Sequence, residues 1–162
     1  MPLSRPFSLF AACLLAASAA AQTEPPAQQV NTAWLNRQSA ALAERGGAHG
    51  WNVMESGLRW RRTAGDGAGA RPGATDRVTV HYVGRFVDGQ EFDSSVARGE
   101  PATFPLGRVI RGWTEGVQYM AVGDTVEFAI PYDLAYGADG RGPIPGGATL
   151  LFTVELLAIE RD

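Results

Sequence analysis

Residues 76–95, DRVTVHYVGRFVDGQEFDSS, leave a chain few options. Val78, Val80 and Tyr82 alternate with Thr79, His81 and Val83, the period of a strand with one buried face. Asp88-Gly89 follows, a dipeptide that supplies the positive φ of a tight hairpin, and leads into Phe92. Two antiparallel strands are predicted. Residues 57–62 (GLRWRR) set Leu58 and Trp60 against arginines in the same rhythm, and 125–131 (TVEFAIP) and 148–160 (ATLLFTVELLAIE) read as two more strands.

One stretch among these strands keeps a helical period. Ile110, Trp113, Val117 and Met120 fall on one helical face, and Gly123-Asp124 ends the run. Strands, one short helix, then strands predict an α+β domain in which a curved antiparallel sheet wraps a single helix. Trp113 and the concave face of the sheet then both point inward. Residues 64–76 (AGDGAGARPGATD) break all periodicity and form a loop; Gly65 and Gly67 have the spacing of a dinucleotide loop, but Arg71, Pro72 and Gly73 stand where its helix would begin. Residues 132–147 (YDLAYGADGRGPIPGG) make a second loop, too long for a simple connection, and loops of that length are usually functional or disordered.

The ends of the chain bound its setting. Residues 1–21 carry Arg5, an apolar run from Phe7 to Ala17, and small residues at Ala19 and Ala21, the pattern of a secretory signal peptide cleaved after Ala21. The run is shorter than the ~20 residues that span a bilayer, so no stable membrane insertion is expected. Cys13, the only cysteine, raises a lipid anchor as an alternative; Phe10 three residues before it and the apolar residues after it fit that reading poorly. Residues 22–54 are expected to be a flexible tether and a short helical extension. Thr32–Arg45 reads as one helix with Thr32 as N-cap and Gly46-Gly47 as its stop, marginal alone, and therefore docked on the domain or paired with another chain. Residues 55–162 form the main domain. All 14 basic residues are arginine, so Schiff-base and P-loop lysine chemistry is excluded, and the half after Arg71 is acidic, a poor nucleic-acid surface.

Conventional catalytic machinery is missing. His49 and His81 are too few and too far apart for a zinc site, and no metal or organic cofactor is implied. Asp93, Ser94 and Ser95 with His81 suggest a triad, yet no G-x-S-x-G elbow accompanies them, and His81 reads as an outward-facing strand residue. What the sequence offers is aromatics near loop signals: Tyr82, Phe92, Phe104, Trp113, Tyr136 and Phe152. A core of this size can absorb most of them. Tyr82 and Tyr136 bring hydroxyls that need partners if buried, and Asp93 is an obvious one.

VTVHYVGRFVDGQEFDSS, FPLGRVIRGWTEGVQYMAVGD, LAYG and IPGGATLLFTVELLAI resemble, in order and spacing, the FKBP-type peptidyl-prolyl cis/trans isomerases. The likeness runs from about Glu55 to Glu160, and ESGLRW before it resembles the first strand of secreted bacterial members of the macrophage-infectivity-potentiator kind. The resemblance implies a substrate pocket between sheet and helix. Tyr82, Phe92, Asp93, Phe104, Val109, Ile110, Trp113, Tyr136 and Phe152 would line it, with Trp113 as floor and Ile144 on the rim. Of these, Asp93, Tyr136, Ile110 and Tyr82 would act in catalysis: the Ile110 backbone N–H and the Tyr136 hydroxyl on ligand carbonyls, Asp93 holding the Tyr82 hydroxyl. Expected partners are proline-containing polypeptides and macrolides of the rapamycin type, in the periplasm or outside the cell. A binding or chaperone module using the same pocket without catalysis is the alternative. Ala102, Tyr132 and Gly146-Gly147 depart from common family residues, the last pair standing where Pro and a polar residue are usual; all three affect the mouth and leave the floor intact. Only about 35 residues separate the leader from the first strand, too few for the long dimerisation helix of secreted relatives, so a monomer is expected.

Overall fold

A computed structural model describes residues 30–161. The signal peptide expected at 1–21, Cys13 and the tether residues 22–29 lie outside the described residues. In chain order, helix α1 (Thr32–Ala43) precedes strands β1 (Asn52–Val53) and β2 (Arg59–Ala64); the hairpin supplies β3 (Arg77–Arg85) and β4 (Glu91–Ser94); helix α2 (Ser95–Arg98) and strand β5 (Ala102–Pro105) follow, then α3 (Arg111–Gly116), β6 (Thr125–Ile130) and β7 (Leu150–Glu160). All strand pairs are antiparallel, in the order β1-β2-β6-β7-β3-β4, with β5 also on β3.

The hairpin turns at Gly89, whose φ of 90° is open to glycine, and the Phe86 and Gln90 backbones close it with a 2.9 Å hydrogen bond. Register then decides which side chains share a face. Val78 pairs with Phe104, Gly84 with both Phe152 and Asp93, and β3 alternates buried and half-buried residues along its length. Tyr82, Phe104, Phe152 and Asp93 therefore all point to the concave face, as side chains two apart on a strand must.

Helix α3 lies in that concavity and is shorter than the sequence period predicts. It is α-helical only to Gly116 and tightens into a 3-10 turn at Val117–Tyr119 before Met120 leaves in an extended conformation. In a 3-10 turn residues three apart eclipse, which keeps Val117 and Met120 together under the sheet; both are fully buried. Two glycines let the helix sit this close. A Cβ on Gly112 would lie 2.4 Å from Ile130, and one on Gly116 2.5 Å from Phe128.

Residues 96–104, which show no period, hold two elements. The Ser94 hydroxyl accepts from Ala97 N–H at 3.0 Å to cap α2, and Gly99 ends it at φ 76°. After this single turn, β5 returns to the same edge of β3 that β4 uses.

Helix α1 is capped by Asn31, not by Thr32 as the sequence suggests. The Asn31 side-chain oxygen accepts from Trp34 N–H at 2.9 Å, while Thr32 is already the first helical residue. Of the two fates open to this helix, docking is the one seen. Trp34 is 2% exposed and packs within the same hydrophobic core as Trp113 and Phe152.

Candidate functional site

The floor of the site is an aromatic layer. Tyr82, Phe104 and Phe152 stand around Trp113 with ring centres 5.3, 5.8 and 5.3 Å away and interplanar angles of 88, 87 and 83°. Edge-to-face contacts of this kind point the positive ring edge at the negative face of a neighbour and add about 0.5–1.5 kcal/mol per pair beyond burial. Each ring comes from a different element, Tyr82 from β3, Phe104 from β5, Phe152 from β7 and Trp113 from α3, so the layer forms only when sheet and helix have come together. Trp113 has no exposed surface, and its indole N–H is buried without a protein acceptor.

Above the layer stand side chains that solvent partly reaches. Phe92, Val109, Ile110 and Tyr136 are half-buried and pack against the same cluster. Phe92 meets Phe152 edge-on at 5.6 Å, and both rings cover Gly84, where a Cβ would come within 2.8 Å of either. Ile110 is the N-cap of α3; its carbonyl accepts from Trp113 N–H at 2.9 Å and Thr114 N–H at 3.1 Å, which fixes the start of the helix beside the floor. Ile144 lies deeper than a rim position implies, 3% exposed within the core cluster. The carrying loop folds inward there, through paired backbone bonds of 2.9 and 3.0 Å between Arg141 and Ile144.

The polar wall is built on Asp93. Its carboxylate accepts from the Tyr82 hydroxyl, and its other oxygen pairs with the Arg98 guanidinium. Arg98 also donates to the Tyr82 hydroxyl oxygen at 2.9 Å and lies over the Tyr82 ring at 5.7 Å. Burial by itself would lower the Arg98 pKa, but its bonds to Tyr82 and Asp93 and their charge outweigh this and hold it above its ordinary value. The sequence reading includes Asp93 and Tyr82 but misses Arg98. Its one legible signal is an arginine five residues after the aspartate, and that means something only once the short α2 folds back.

The triad reading fails on geometry. His81 Nδ1 does lie 3.0 Å from Ser95 Oγ, so His81 is not simply an outward strand residue. Yet Ser95 is fully buried, its hydroxyl accepts from Tyr82 N–H at 2.8 Å and donates to Tyr82 C=O at 3.3 Å, and Asp93 is engaged with Tyr82 and Arg98. Ser95 is a clamp between α2 and β3. Among the described residues no group of three or more His, Cys, Asp or Glu side chains is placed to hold a metal ion.

A cleft of about 380 Å³ lies on the opposite face of the sheet, lined by Trp51, Arg61, Val83 and Arg85 among others. Its cations are matched already: Arg61 bonds Glu127 at 2.5 Å and Arg85 lies 3.5 Å from Glu91. Its lining shares Phe152 with the concave face but includes none of Tyr82, Asp93, Trp113 or Tyr136.

Comparison with known proteins identifies the family that the chain resembles. A family model described as FKBP-type peptidyl-prolyl cis-trans isomerase matches residues 69–157. The FKBP-type peptidyl-prolyl cis-trans isomerase FkpA of Aeromonas hydrophila is 56% identical over 120 residues, covering 74% of this chain and 44% of that protein. The FKBP-type 22 kDa peptidyl-prolyl cis-trans isomerase of Escherichia coli (strain K12) is 53% identical over 119 residues, 73% of this chain and 57% of that one. The chain thus spans about half the length of these curated relatives. Among solved structures, a peptidyl-prolyl cis-trans isomerase from Pseudomonas syringae aligns with a TM-score of 0.74 at 36% identity, over 82% of this chain and 98% of that chain. FkpA from Escherichia coli aligns at 0.72 and 37% identity, over 79% of this chain and 61% of its own.

Proposed function

The chain belongs to the FKBP-type peptidyl-prolyl cis-trans isomerase family, and on that premise we propose that it accelerates rotation about X-Pro bonds in polypeptides, with proline bound above Trp113. The observation that carries the proposal is the floor itself: three rings set edge-on around a tryptophan, with the Tyr82–Asp93–Arg98 network as the polar wall.

The reaction needs no nucleophile. An X-Pro bond prefers trans by only about 0.5–1 kcal/mol, and rotation is slow because the twisted state loses amide resonance, a barrier of roughly 18–20 kcal/mol for a peptide bond. The planar amide is more dipolar than the twisted one, so a dry aromatic surface disfavours the ground state more. Each ~1.4 kcal/mol of that difference is a factor of ten in rate. Phe92, Val109 and Ile110 exclude water from the proline ring, and Phe104, Phe152 and Ile144 back them. The Ile110 N–H and the Tyr136 hydroxyl hold substrate carbonyls. A bond to the carbonyl oxygen of the rotating amide itself would strengthen resonance, so these groups orient the chain on either side of it. Asp93 fixes the Tyr82 hydroxyl and, with Arg98, sets the polarity of the pocket edge.

Residues 55–162 are taken as the isomerase domain, with β1 (Asn52–Val53) of the preceding segment added to its sheet and α1 as its helical extension. The protein works as a monomer in the periplasm or outside the cell after removal of residues 1–21, on proline-containing polypeptides exposed during folding, and the same pocket takes macrolides of the rapamycin type. The differences at Ala102, Tyr132 and Gly146-Gly147 alter selectivity for the residue before proline. The test is cis/trans relaxation of an Ala-Leu-Pro-Phe peptide with the protein, Asp93→Ala and Tyr136→Phe. Acceleration that falls in either variant supports the proposal. No acceleration, with a rapamycin-type ligand still bound, would make the domain a binding module instead.

A further inference from the structure

The loop 132–147, which carries Tyr136 and Ile144, is held from behind by the N-terminal helix. Trp34 on α1 donates its indole N–H to Gly146 C=O at 3.2 Å. One turn on, Gln38 accepts from Thr149 N–H at 2.9 Å, and its amide nitrogen returns to Trp34 C=O at 3.4 Å. Both side chains are buried, 2% and 4% exposed. They join residues 111 or 112 apart in sequence, so neither bond is a by-product of local helix formation. Leu35, between them, closes on Gly147 so tightly that a Cβ there would lie 2.9 Å from its Cδ2. Gly147 also sits at φ 73°, and a Cβ on Gly146 would meet Ala138 C=O at 2.0 Å. Gly147 thus lies against the helix, while Gly146 lets the loop fold closely on its own backbone at Ala138.

From there the link to the pocket is short. Gly147 N–H donates to Gly137 C=O at 3.0 Å, and Gly137, next to Tyr136, donates to Tyr132 C=O at 2.8 Å. The front of the loop is tied separately, by Arg111 of α3 to Asp133 C=O at 2.8 Å. The loop is thus anchored to α3 at one end and to α1 at the other, with Tyr136 and Ile144 between the anchors. We propose that α1 is a positioning element of the pocket: Trp34 and Gln38 fix the backbone of residues 146–149, and through it the placement of Tyr136 and Ile144. This rests on the isomerase reading for its effect on turnover, while the mechanical link stands on the contacts alone.

The test compares the full protein with Gln38→Leu and Trp34→Phe, which keep apolar bulk and each remove one hydrogen bond to the 146–149 segment, Gln38→Leu also losing the bond to Trp34 C=O within α1. Two things are measured: kcat and KM separately on the proline peptide, and hydrogen exchange at the amides of Gly137, Gly147 and Thr149. One lost bond is worth about fivefold. Positioning requires KM to rise by about that factor with kcat within about twofold, and exchange at Gly137 and Gly147 to quicken while that of Tyr82 and Val83 does not. A lower melting temperature with KM and loop exchange unchanged would reduce α1 to a stabilising appendage and overturn the proposal. Should the wild type accelerate nothing, the isomerase reading fails by itself, and the exchange rates still decide whether α1 holds the loop. The second variant guards against misfolding in the first.

Discussion

Asp93 serves two partners at once, and that makes it the residue through which the site is best probed. Asp93 is 9% exposed, and its carboxylate engages the Tyr82 hydroxyl and the Arg98 guanidinium together. Arg98→Met should leave a mostly buried carboxylate with one donor fewer. Because Arg98 is itself partly solvated, the expected loss is about 1–2 kcal/mol in urea denaturation, with kcat/KM down by about fivefold. A cycle with Tyr82→Phe should be non-additive by about 1 kcal/mol, since both side chains touch the same carboxylate. Gly84 offers an independent probe. Its absent Cβ would lie 2.8 Å from both Phe92 and Phe152, so Gly84→Ala forces one ring out of the layer, at about 1–3 kcal/mol of stability and a greater proportional loss of activity in the peptide assay. Tyr82 and Trp113 were legible from strand and helical period, and Asp93 and Phe152 from the resemblance to the FKBP-type motifs. Arg98, Trp34 and Gln38 were not. Each acts through a contact that exists only after a short helix has folded against something distant.

Helix α3 shows how an element can go against its own propensity for the sake of position. Gly112 and Gly116 are two of its six residues, and alanine at either would favour an isolated helix by about 1 kcal/mol. In place, the added methyl at Gly116 would approach Phe128 to 2.5 Å, and overpacking of that kind costs about 1–3 kcal/mol. Overpacking outweighs propensity, so Gly116→Ala should lower the urea midpoint even though alanine is the better helix former. Trp113 would tilt with the helix, so its fluorescence should change as well. The same conflict explains why the apolar period from Ile110 to Met120 overstated the helix. Spacing reports which side chains are buried together, and a 3-10 turn buries Val117 with Met120 as well as an α turn does. The strands at β2, β3, β4, β6 and β7 read correctly as strands, because alternation has no such degeneracy. The α2–β5 return did not, since its signals are a serine cap and a positive-φ glycine rather than a period.

Across the whole molecule, Asp124 ties the irregular first half of the chain to the sheet. It is 1% exposed and accepts from Ala121 N–H at 2.9 Å, Gly67 N–H at 3.0 Å and Arg62 Nε at 2.9 Å. One carboxylate thus joins the glycine loop after β2, β2 itself and the turn before β6. The loop passes so close that a Cβ on Gly65 would lie 2.1 Å from its oxygen. Burial alone would raise the Asp124 pKa, but the backbone donors of Ala121 and Gly67 and the Arg62 charge outweigh it and hold the group below the ordinary carboxylate value. The sign follows from linkage. A group whose folded pKa is depressed contributes its full stability above the unfolded value, about 3.9, and loses it as pH falls through the folded value. Urea midpoints measured across acidic pH should therefore decline for the wild type from roughly pH 5 downward. Asp124→Asn keeps the shape but not the charge, leaving Arg62 without its anion and presenting an amide nitrogen to donors. It should lose about 2–3 kcal/mol at neutral pH and show a shallower acid slope, so that the two curves converge as the wild-type carboxylate protonates. Curves that stay parallel through that window would mean that the acid sensitivity resides in other carboxylates and that Asp124 contributes through shape alone.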